Sequence, residues 1–290
     1  MAQVQPSQAD DADHVPRRFP GRVALVTGAA KGQGRSHAVR LAQEGADLLL
    51  VDVCAELPTT QYAQGTRDQL AETAAQVRAL GRRAVTVEVD VRDGPGLRAA
   101  VEQGARELGG LHLVVANAGV IQLKPAMEIS DQDWADVLGV NLTGAWNTVR
   151  AALPALLAQG AGSIVLTSSA AGLKGPPGMA HYAASKTGLV GLMRTLATEL
   201  GPQGVRVNTV HPTTVDTDMV HWPDAYRAFR PDLAQPQRAD VEPVFASLNV
   251  LPVPWIEAGD VSDAVLWLLS DDARYVTGAA VPVDAGTALR

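Results

Sequence analysis

Cysteine is almost absent from this chain: Cys54 is the only one, so no intramolecular disulfide can form and a reducing compartment is expected. Aromatic residues are scarce too, at 4%. Small and branched apolar residues must therefore fill the interior, which suits parallel strands buried on both faces under close-packed helices. There is no concentrated basic run. The pairs Arg17-Arg18 and Arg82-Arg83 are the only basic clusters and the formal net charge is -7, which argues against a nucleic-acid partner. No apolar run reaches the roughly 18 residues that span a bilayer, and residues 1–20 lack the apolar stretch of a secretory leader. The expectation is a cytoplasmic protein without a membrane or nucleic-acid partner. Residues 1–20 read as a flexible tail ahead of a single domain at 21–290.

What is present points to a large folded core: 47% of residues are hydrophobic and 19% charged. Apolar runs at Val23–Thr27, Asp47–Val53, Arg83–Val89, Leu111–Ala116, Gly162–Thr167, Arg206–Val210 and Ala280–Val283 read as buried strands. Helical patterns at Gly34–Glu44, Gln69–Leu80, Ser130–Val149, Tyr182–Leu200 and Asp260–Leu268 lie among them. This alternation predicts an α/β fold, a Rossmann-type doubly wound parallel sheet of about seven strands with helices on both faces.

Two stretches interrupt it. Cys54–Arg67 is a polar loop directly after the second strand. Asp218–Glu257 carries Pro223, Pro231, Pro236, Pro243, Pro252 and Pro254 together with Trp222, Tyr226, Phe229, Phe245 and Trp255. So proline-rich a segment reads as a long irregular loop, serving as a substrate lid at about 218–257.

The first strand runs into TGAAKGQG. Gly28, Gly32 and Gly34, with Lys31 and Gln33 between them, let the backbone approach a pyrophosphate, and the following helix supplies amide donors and a favourable dipole. The spacing is G-x-x-x-G-x-G, not the commoner G-x-G-x-x-G. Asp52 ends the second strand about 20 residues beyond this turn, where a carboxylate accepts hydrogen bonds from an adenosine ribose; Val53 follows it. Asp52 would repel a 2′-phosphate, whereas Lys31 could serve one. The carboxylate outweighs the mobile lysine, which favours NAD over NADP. Asp90 and Val91 follow the third strand, where they could hold an adenine edge. Asn117-Ala118-Gly119 follows the fourth, either as a structural turn or as cofactor lining. All these positions lie at carboxyl ends of strands, where open α/β sheets bind ligands.

Tyr182 and Lys186 stand four apart at the start of a helix and share a face. A free phenol titrates near ~10; a nearby ammonium lowers that value and makes the tyrosine a usable acid/base. Ser169, just past the preceding strand, can orient a substrate oxygen while Tyr182 moves the proton.

TGAAKGQG, the Asn117-Ala118-Gly119 turn, Asn141 in VNLTG, Ser169, YAASK at 182–186 and the terminal VTGAAVPVDAG together resemble the short-chain dehydrogenase/reductase family over residues 21–287. The resemblance implies a catalytic set of Asn141, Ser169, Tyr182 and Lys186. Asn141 would hold a proton-relay water near Lys186, and Lys186 would also bind the nicotinamide ribose. It places the nicotinamide carboxamide against the backbone near Pro212 and Val215 and the hydroxyl of Thr217. It also implies a homotetramer. Where the family has Pro-Gly, this chain has Pro212-Thr213.

A narrower likeness, in GQGRSHAVRLAQEGAD, the insert after VDVC, TSSAAGLKG, GLMRTLA and VHPTTVDT, is to a carveol-dehydrogenase-like, mycofactocin-associated subgroup. It implies reversible hydride transfer between a lipophilic, terpenoid-like secondary alcohol or ketone and NAD, with a redox peptide as electron acceptor. It also implies that Cys54–Arg67 covers the cofactor; a tolerated surface insertion is the other reading. Two other functions use much of the same set: an NADPH-dependent 3-oxoacyl-thioester reductase, and a non-catalytic NAD-binding regulator. Asp52 argues against the first, and the joint presence of Ser169, Tyr182 and Lys186 against the second.

Of the remaining candidates, His181 reads as structural, because neighbours on a helix point apart. His211 and His221 lack ligand partners at metal spacing, so no metal is expected. Cys54 reads as a packing residue. Trp222, Tyr226 and Phe229 are either lid core or substrate wall.

Overall fold

Seven apolar segments pair side by side, all parallel, in the order β3-β2-β1-β4-β5-β6-β7. They are β1 (Val23–Thr27), β2 (Asp47–Asp52), β3 (Ala84–Glu88), β4 (Leu113–Ala116), β5 (Gly162–Thr167), β6 (Val205–Pro212) and β7 (Ala280–Val283). The computed structural model describes residues 17–290. Most of the tail expected at 1–20 lies outside them, but Phe19 is buried and Arg18 pairs with Glu44, so packed chain reaches back before Gly21.

Helices α1 (Gly32–Gln43), α2 (Arg67–Ala79) and α9 (Ala258–Leu269) cover one face of the sheet, burying Leu41, Leu70, Val77 and Val265 against Leu48, Leu50 and Val115. Helices α3 (Gly94–Leu108), α5 (Gly144–Ala158) and α6 (Ala180–Leu200) cover the other, burying Val101, Leu156 and Met193 against Leu49, Val114 and Ile164. Alternate residues of each central strand thus serve opposite cores, as in sheets buried on both sides. The strand order turns back between β1 and β4, and the crevice above their carboxyl ends is where such folds hold ligands.

Three elements differ from the sequence expectation. α3 follows directly on β3 and its loop, and Asp93 caps it by accepting from Gly96 N. The helix expected at Ser130–Val149 is two helices. Ser130 caps α4 (Asp131–Leu138), a π turn covers Gly139–Thr143, and α5 continues from it. Such a turn breaks the regular i+4 ladder, and π turns cluster at functional sites. The segment expected as a lid is not irregular either. α7 (Pro223–Phe229) starts on a proline, where a missing N–H costs nothing, and α8 (Arg238–Leu248) tolerates Pro243 inside it while burying Val241 and Phe245 one turn apart.

Candidate functional site

The carboxyl ends of β1, β2, β3, β4 and β5 open into one cavity of about 480 Å³. Gly28, Lys31, Gly32, Gln33 and Gly34 line it, as do Asp52, Val53, Asp90, Val91, Asn117, Ala118, Gly119, Tyr182, Lys186 and Thr217. Asn141, Ser169, Pro212 and Val215 do not line it.

The glycine turn is tight. Gly28 has φ 68°, and a Cβ at Gly34 would stand 1.9 Å from the Gly28 carbonyl oxygen. Any side chain there would push the turn apart, so backbone alone can face a ligand at this point. Thr27 Oγ1 accepts from Asn117 N and Ala118 N, while Asn117 Nδ2 donates to Thr27 O at 3.1 Å. The Asn117-Ala118-Gly119 turn therefore braces the glycine turn and lines the cavity as well. Two buried polar atoms in the region, Gln33 Oε1 and Thr167 Oγ1, have no protein partner. Together with the bare backbone cradle, they fit a phosphate- and amide-bearing nucleotide.

Asp52 ends β2 half-buried. Its Oδ2 accepts from Ala30 N at 2.9 Å and its Oδ1 from Cys54 N at 3.2 Å. The carboxylate shapes the glycine turn and keeps lone pairs for ribose hydroxyls. Lys31 does not point to an adenosine phosphate. It ion-pairs with Asp218 at 2.9 Å and donates to Ala63 O, joining the insert to the start of the lid. Asp90 is bound by Arg92, whose guanidinium holds its carboxyl below the usual range against the opposing pull of burial. Arg92 reaches on to Asp136, and Asp136 also accepts from Thr59 in the insert.

The insert is built into this cavity wall. Ala55, Glu56, Leu57, Tyr62, Gln64 and Gly65 all line it. It leaves β2 through Cys54, which has φ 50°. Burial and the Asp52 charge push the Cys54 thiol up to about 11, so it packs rather than reacts.

Around Tyr182 the geometry is closely determined. Tyr182 is 8% exposed and Lys186 3%. Lys186 Nζ donates to Thr167 O at 2.8 Å and stands 5.7 Å from the centre of the Tyr182 ring. Burial holds the lysine down at about 8. Burial also raises the Tyr182 phenol, and the opposing contribution is a hydrogen bond with Ser169. The expected depression of Tyr182 by Lys186 is therefore not visible here: the ammonium is directed at a carbonyl, and desolvation wins. Ser169 is fixed from below, where His211 Nδ1 meets its backbone oxygen at 2.9 Å and His211 Nε2 meets Thr209 Oγ1.

Asn141 sits in the π turn with its side chain fully engaged. Oδ1 accepts from Val120 N, and Nδ2 donates to Val120 O and Ser185 Oγ. Its side chain is thus a brace between β4's loop and α6. Any water it holds must use backbone carbonyls that the π turn frees. Gly119 leaves the room this needs, since a Cβ there would lie 3.3 Å from Lys186 Nζ and 3.4 Å from Asn141 Oδ1.

Val215 and Thr217 lie where β6 leads into the lid. Val215 is buried and pairs with Ile256. Thr217 Oγ1 donates to Val215 O, and its methyl would meet a Cβ on Gly32 at 3.5 Å, so the two sides of the mouth touch. Thr213, in place of glycine, keeps an ordinary backbone. Its hydroxyl meets Asn249 and Thr287, pinning the C-terminal segment.

None of Trp222, Tyr226 and Phe229 lines the cavity. Phe229 and Phe245 pack on each other at 4.5 Å as lid core, whereas Trp222 is buried against Tyr62 of the insert. His221 does have a carboxylate partner, Asp216 at 2.7 Å, as well as Tyr226. No group of three metal-ligating side chains comes together among the described residues. His181 is fully buried against Gln122. Tyr62, Thr167, Arg92 and Asp218 are the residues the sequence did not single out. Tyr62 alone carried a signal, as the one aromatic in a polar insert.

With this geometry in place, the comparisons with known proteins are specific. Residues 22–225 match the short chain dehydrogenase model. This chain belongs to the short-chain dehydrogenase family. It is 52% identical to the (-)-trans-carveol dehydrogenase of Rhodococcus erythropolis, over 94% of this chain and 99% of that one. The carveol dehydrogenase of Mycobacterium avium, solved in complex with NAD, superposes with a TM-score of 0.93 at 51% identity, covering 94% of this chain and 99% of the other. A short chain dehydrogenase of Mycobacterium paratuberculosis bound to NAD gives 0.86 at 43% identity, covering 94% and 100%. The Rossmann-type sheet expected from the sequence is the fold these relatives share. The carveol-dehydrogenase-like resemblance likewise holds at the level of half the residues.

Proposed function

We propose that this chain oxidises lipophilic secondary alcohols, carveol-like terpenoid alcohols among them, to ketones with NAD as cofactor. One observation carries this reading: Tyr182 and Lys186 open into the same cavity as the glycine turn and Asp52. The high identity to a carveol dehydrogenase supports the substrate class.

NAD, when bound, supplies the hydride acceptor. Gly28, Gly32 and Gly34 would receive its pyrophosphate on bare backbone, with Lys31 and Gln33 beside them. Asp52, with Val53, would receive the adenosine ribose; Asp90 and Val91 would border the adenine. Asn117, Ala118 and Gly119 would flank the nicotinamide half, with Thr217 on its other side and the backbone of Pro212 and Val215 next to it. Ser169 orients the carbinol oxygen. Tyr182, as phenolate, takes the hydroxyl proton while the carbinol C–H leaves as hydride, and a carbonyl remains. Lys186 would hold the nicotinamide ribose and stabilise the phenolate, its ammonium turning from Thr167 O to do so. Asn141 keeps the π turn and α6 in register so that protons can leave toward solvent.

The unit that does this is the single domain at 21–290, with 218–257 as substrate lid. Exposed Trp134 and Trp146 on α4 and α5, and Trp267 on α9, support assembly into a homotetramer. No described helix is long and apolar enough to cross a membrane. A cytoplasmic location and a redox-peptide electron acceptor of the mycofactocin kind complete the proposal. The test is to denature purified protein and identify the nucleotide released, then assay carveol oxidation with added NAD and with an artificial electron acceptor. Release of NAD and oxidation of carveol support the reading; release of NADP, or reduction of acetoacetyl thioesters in preference to alcohol oxidation, overturns it.

A further inference from the structure

Tyr62 belongs to two sites at once. It is carried by the insert after β2, whose neighbouring residues border the adenosine end of the cavity. Gly65 packs on Ala30 and Asp52, and Ala63 O accepts from Lys31. Yet the Tyr62 side chain projects away from that end. Its hydroxyl accepts from Ile121 N at 3.2 Å, in the loop that continues from Gly119. Its ring lies 6.0 Å from the Trp222 ring at the start of α7. Ile121, Leu123 and Met219 complete an apolar patch around the pair, joined to one sheet core through Ile121. Tyr62 is 8% exposed, as Tyr182 is, and the two phenols line the same cavity.

This position has a consequence for the alcohol. A substrate oxygen held by Ser169 and Tyr182 would leave its carbon skeleton to lie toward the 218–257 segment, where Met219 lines the cavity and buried Trp222 backs Tyr62. Tyr62 closes that space from the side opposite the core. A phenol ring is large and rigid, and its hydroxyl is fixed to backbone, so it cannot swing away as a leucine or methionine could. The remaining space is then set by a residue of the cofactor cover rather than by the lid alone.

We propose that Tyr62 is a specificity-determining residue of the alcohol site: the insert that borders the cofactor also supplies the wall that limits the size of the alcohol's apolar body. The proposal rests on the alcohol-oxidation reading above. The lid in this arrangement does not discriminate by itself; it closes against Tyr62, and the pair Tyr62–Trp222 sets the limit.

The test compares two probes, cyclohexanol and 4-tert-butylcyclohexanol, on the NAD-loaded full-length protein. Binding is read by titration and turnover by kcat and KM, for wild type, Tyr62→Ala, Tyr62→Leu and Tyr62→Phe. Tyr62→Ala is expected to weaken cyclohexanol about tenfold, the scale of lost apolar contact in a pocket. The bulkier alcohol should bind as well as before or better, so the ratio of the two shifts by more than tenfold. Tyr62→Leu, of closer volume and safer to fold, should shift the ratio in the same direction by a smaller factor. Tyr62→Phe should keep the wild-type ratio within about twofold, because the ring remains. A purely structural role would loosen both alcohols in parallel, and an unchanged ratio in both the alanine and leucine variants overturns the proposal. Wild-type protein that binds neither alcohol overturns the alcohol reading and this assignment with it; binding with an unmoved ratio overturns this assignment alone.

Discussion

Asn141 donates through Nδ2 to Ser185 Oγ at 3.0 Å, and Ser185 passes the bond to the backbone oxygen of Tyr182 at 2.7 Å. A π turn on one helix is thereby tied to the first turn of the helix that presents the tyrosine and lysine. Asn141→Ala removes this tie and orphans the N–H and C=O of Val120 in a buried setting. Each orphan costs about 1–3 kcal/mol. The expected outcome is a clear fall in melting temperature together with a kcat loss of about tenfold or more. Ser185→Ala, which spares Val120, should show the kcat effect with the smaller stability loss.

Tyr182→Phe should abolish turnover while leaving NAD affinity within about twofold, because the ring stays and only the proton-transferring oxygen goes. Single-turnover absorbance of the reduced cofactor is the measurement. Residual activity above a few per cent of wild type would remove Tyr182 from the acid/base role.

Lys186→Met carries a prediction about pH. The lysine's folded value, about 8, lies below its unfolded value near 10.4, so burial disfavours the ammonium in the folded state. Below pH 8 the fold bears the whole of this cost, on the order of 3 kcal/mol. As pH rises from 8 toward 10.4 the folded protein sheds the proton first, and the cost disappears. The methionine variant should therefore gain on wild type in denaturant midpoint most strongly at pH 6–7, and the advantage should fade by pH 10. A gap that is constant across this range would mean that the lysine is not stored as a buried charge.

Lys31 joins Ala63 of the insert to Asp218 of the lid. Asp218 is 67% exposed on its side chain, so the ion pair alone is worth little. Asp218→Ala should speed NAD release by no more than about twofold. Lys31→Ala also removes the bond to the Ala63 carbonyl and should speed release several-fold. Stopped-flow displacement of bound NAD distinguishes them; equal effects would mean that the insert is held by its other anchors at Thr59 and Tyr62.

The central strands β1, β2 and β4 were legible because they are nearly continuous apolar runs, as a sheet buried on both faces requires, whereas the edge strand β3 alternates and is only partly buried. The glycine turn, Asp52, Ser169, Tyr182 and Lys186 were legible because their chemistry sits in short local patterns. α3 was hidden by its opening Gly94-Pro95-Gly96, which reads as a break although Asp93 caps it. α7 and α8 were hidden by their prolines, whose cost depends on position within a helix and not on number. The π turn left no trace, since apolar residues continue through Gly139–Thr143 without a change of period. The ion pair of Lys31 was hidden for a different reason: its partner Asp218 is 187 positions away in the chain, and only the fold brings them together.

Gly65 rests on the carboxylate of Asp52. A single added carbon there would stand 2.8 Å from Ala30 Cβ and 3.0 Å from Asp52 Oδ1. If the adenosine ribose lies at Asp52, as proposed, the backbone at Gly65 would stand over it as well as the charge. Asp52→Ala would then remove the charge and weaken NAD binding while leaving Gly65 in place against any added 2′-phosphate. Changing the coenzyme of this protein is then a problem of architecture: the roof must be raised before the walls are recharged.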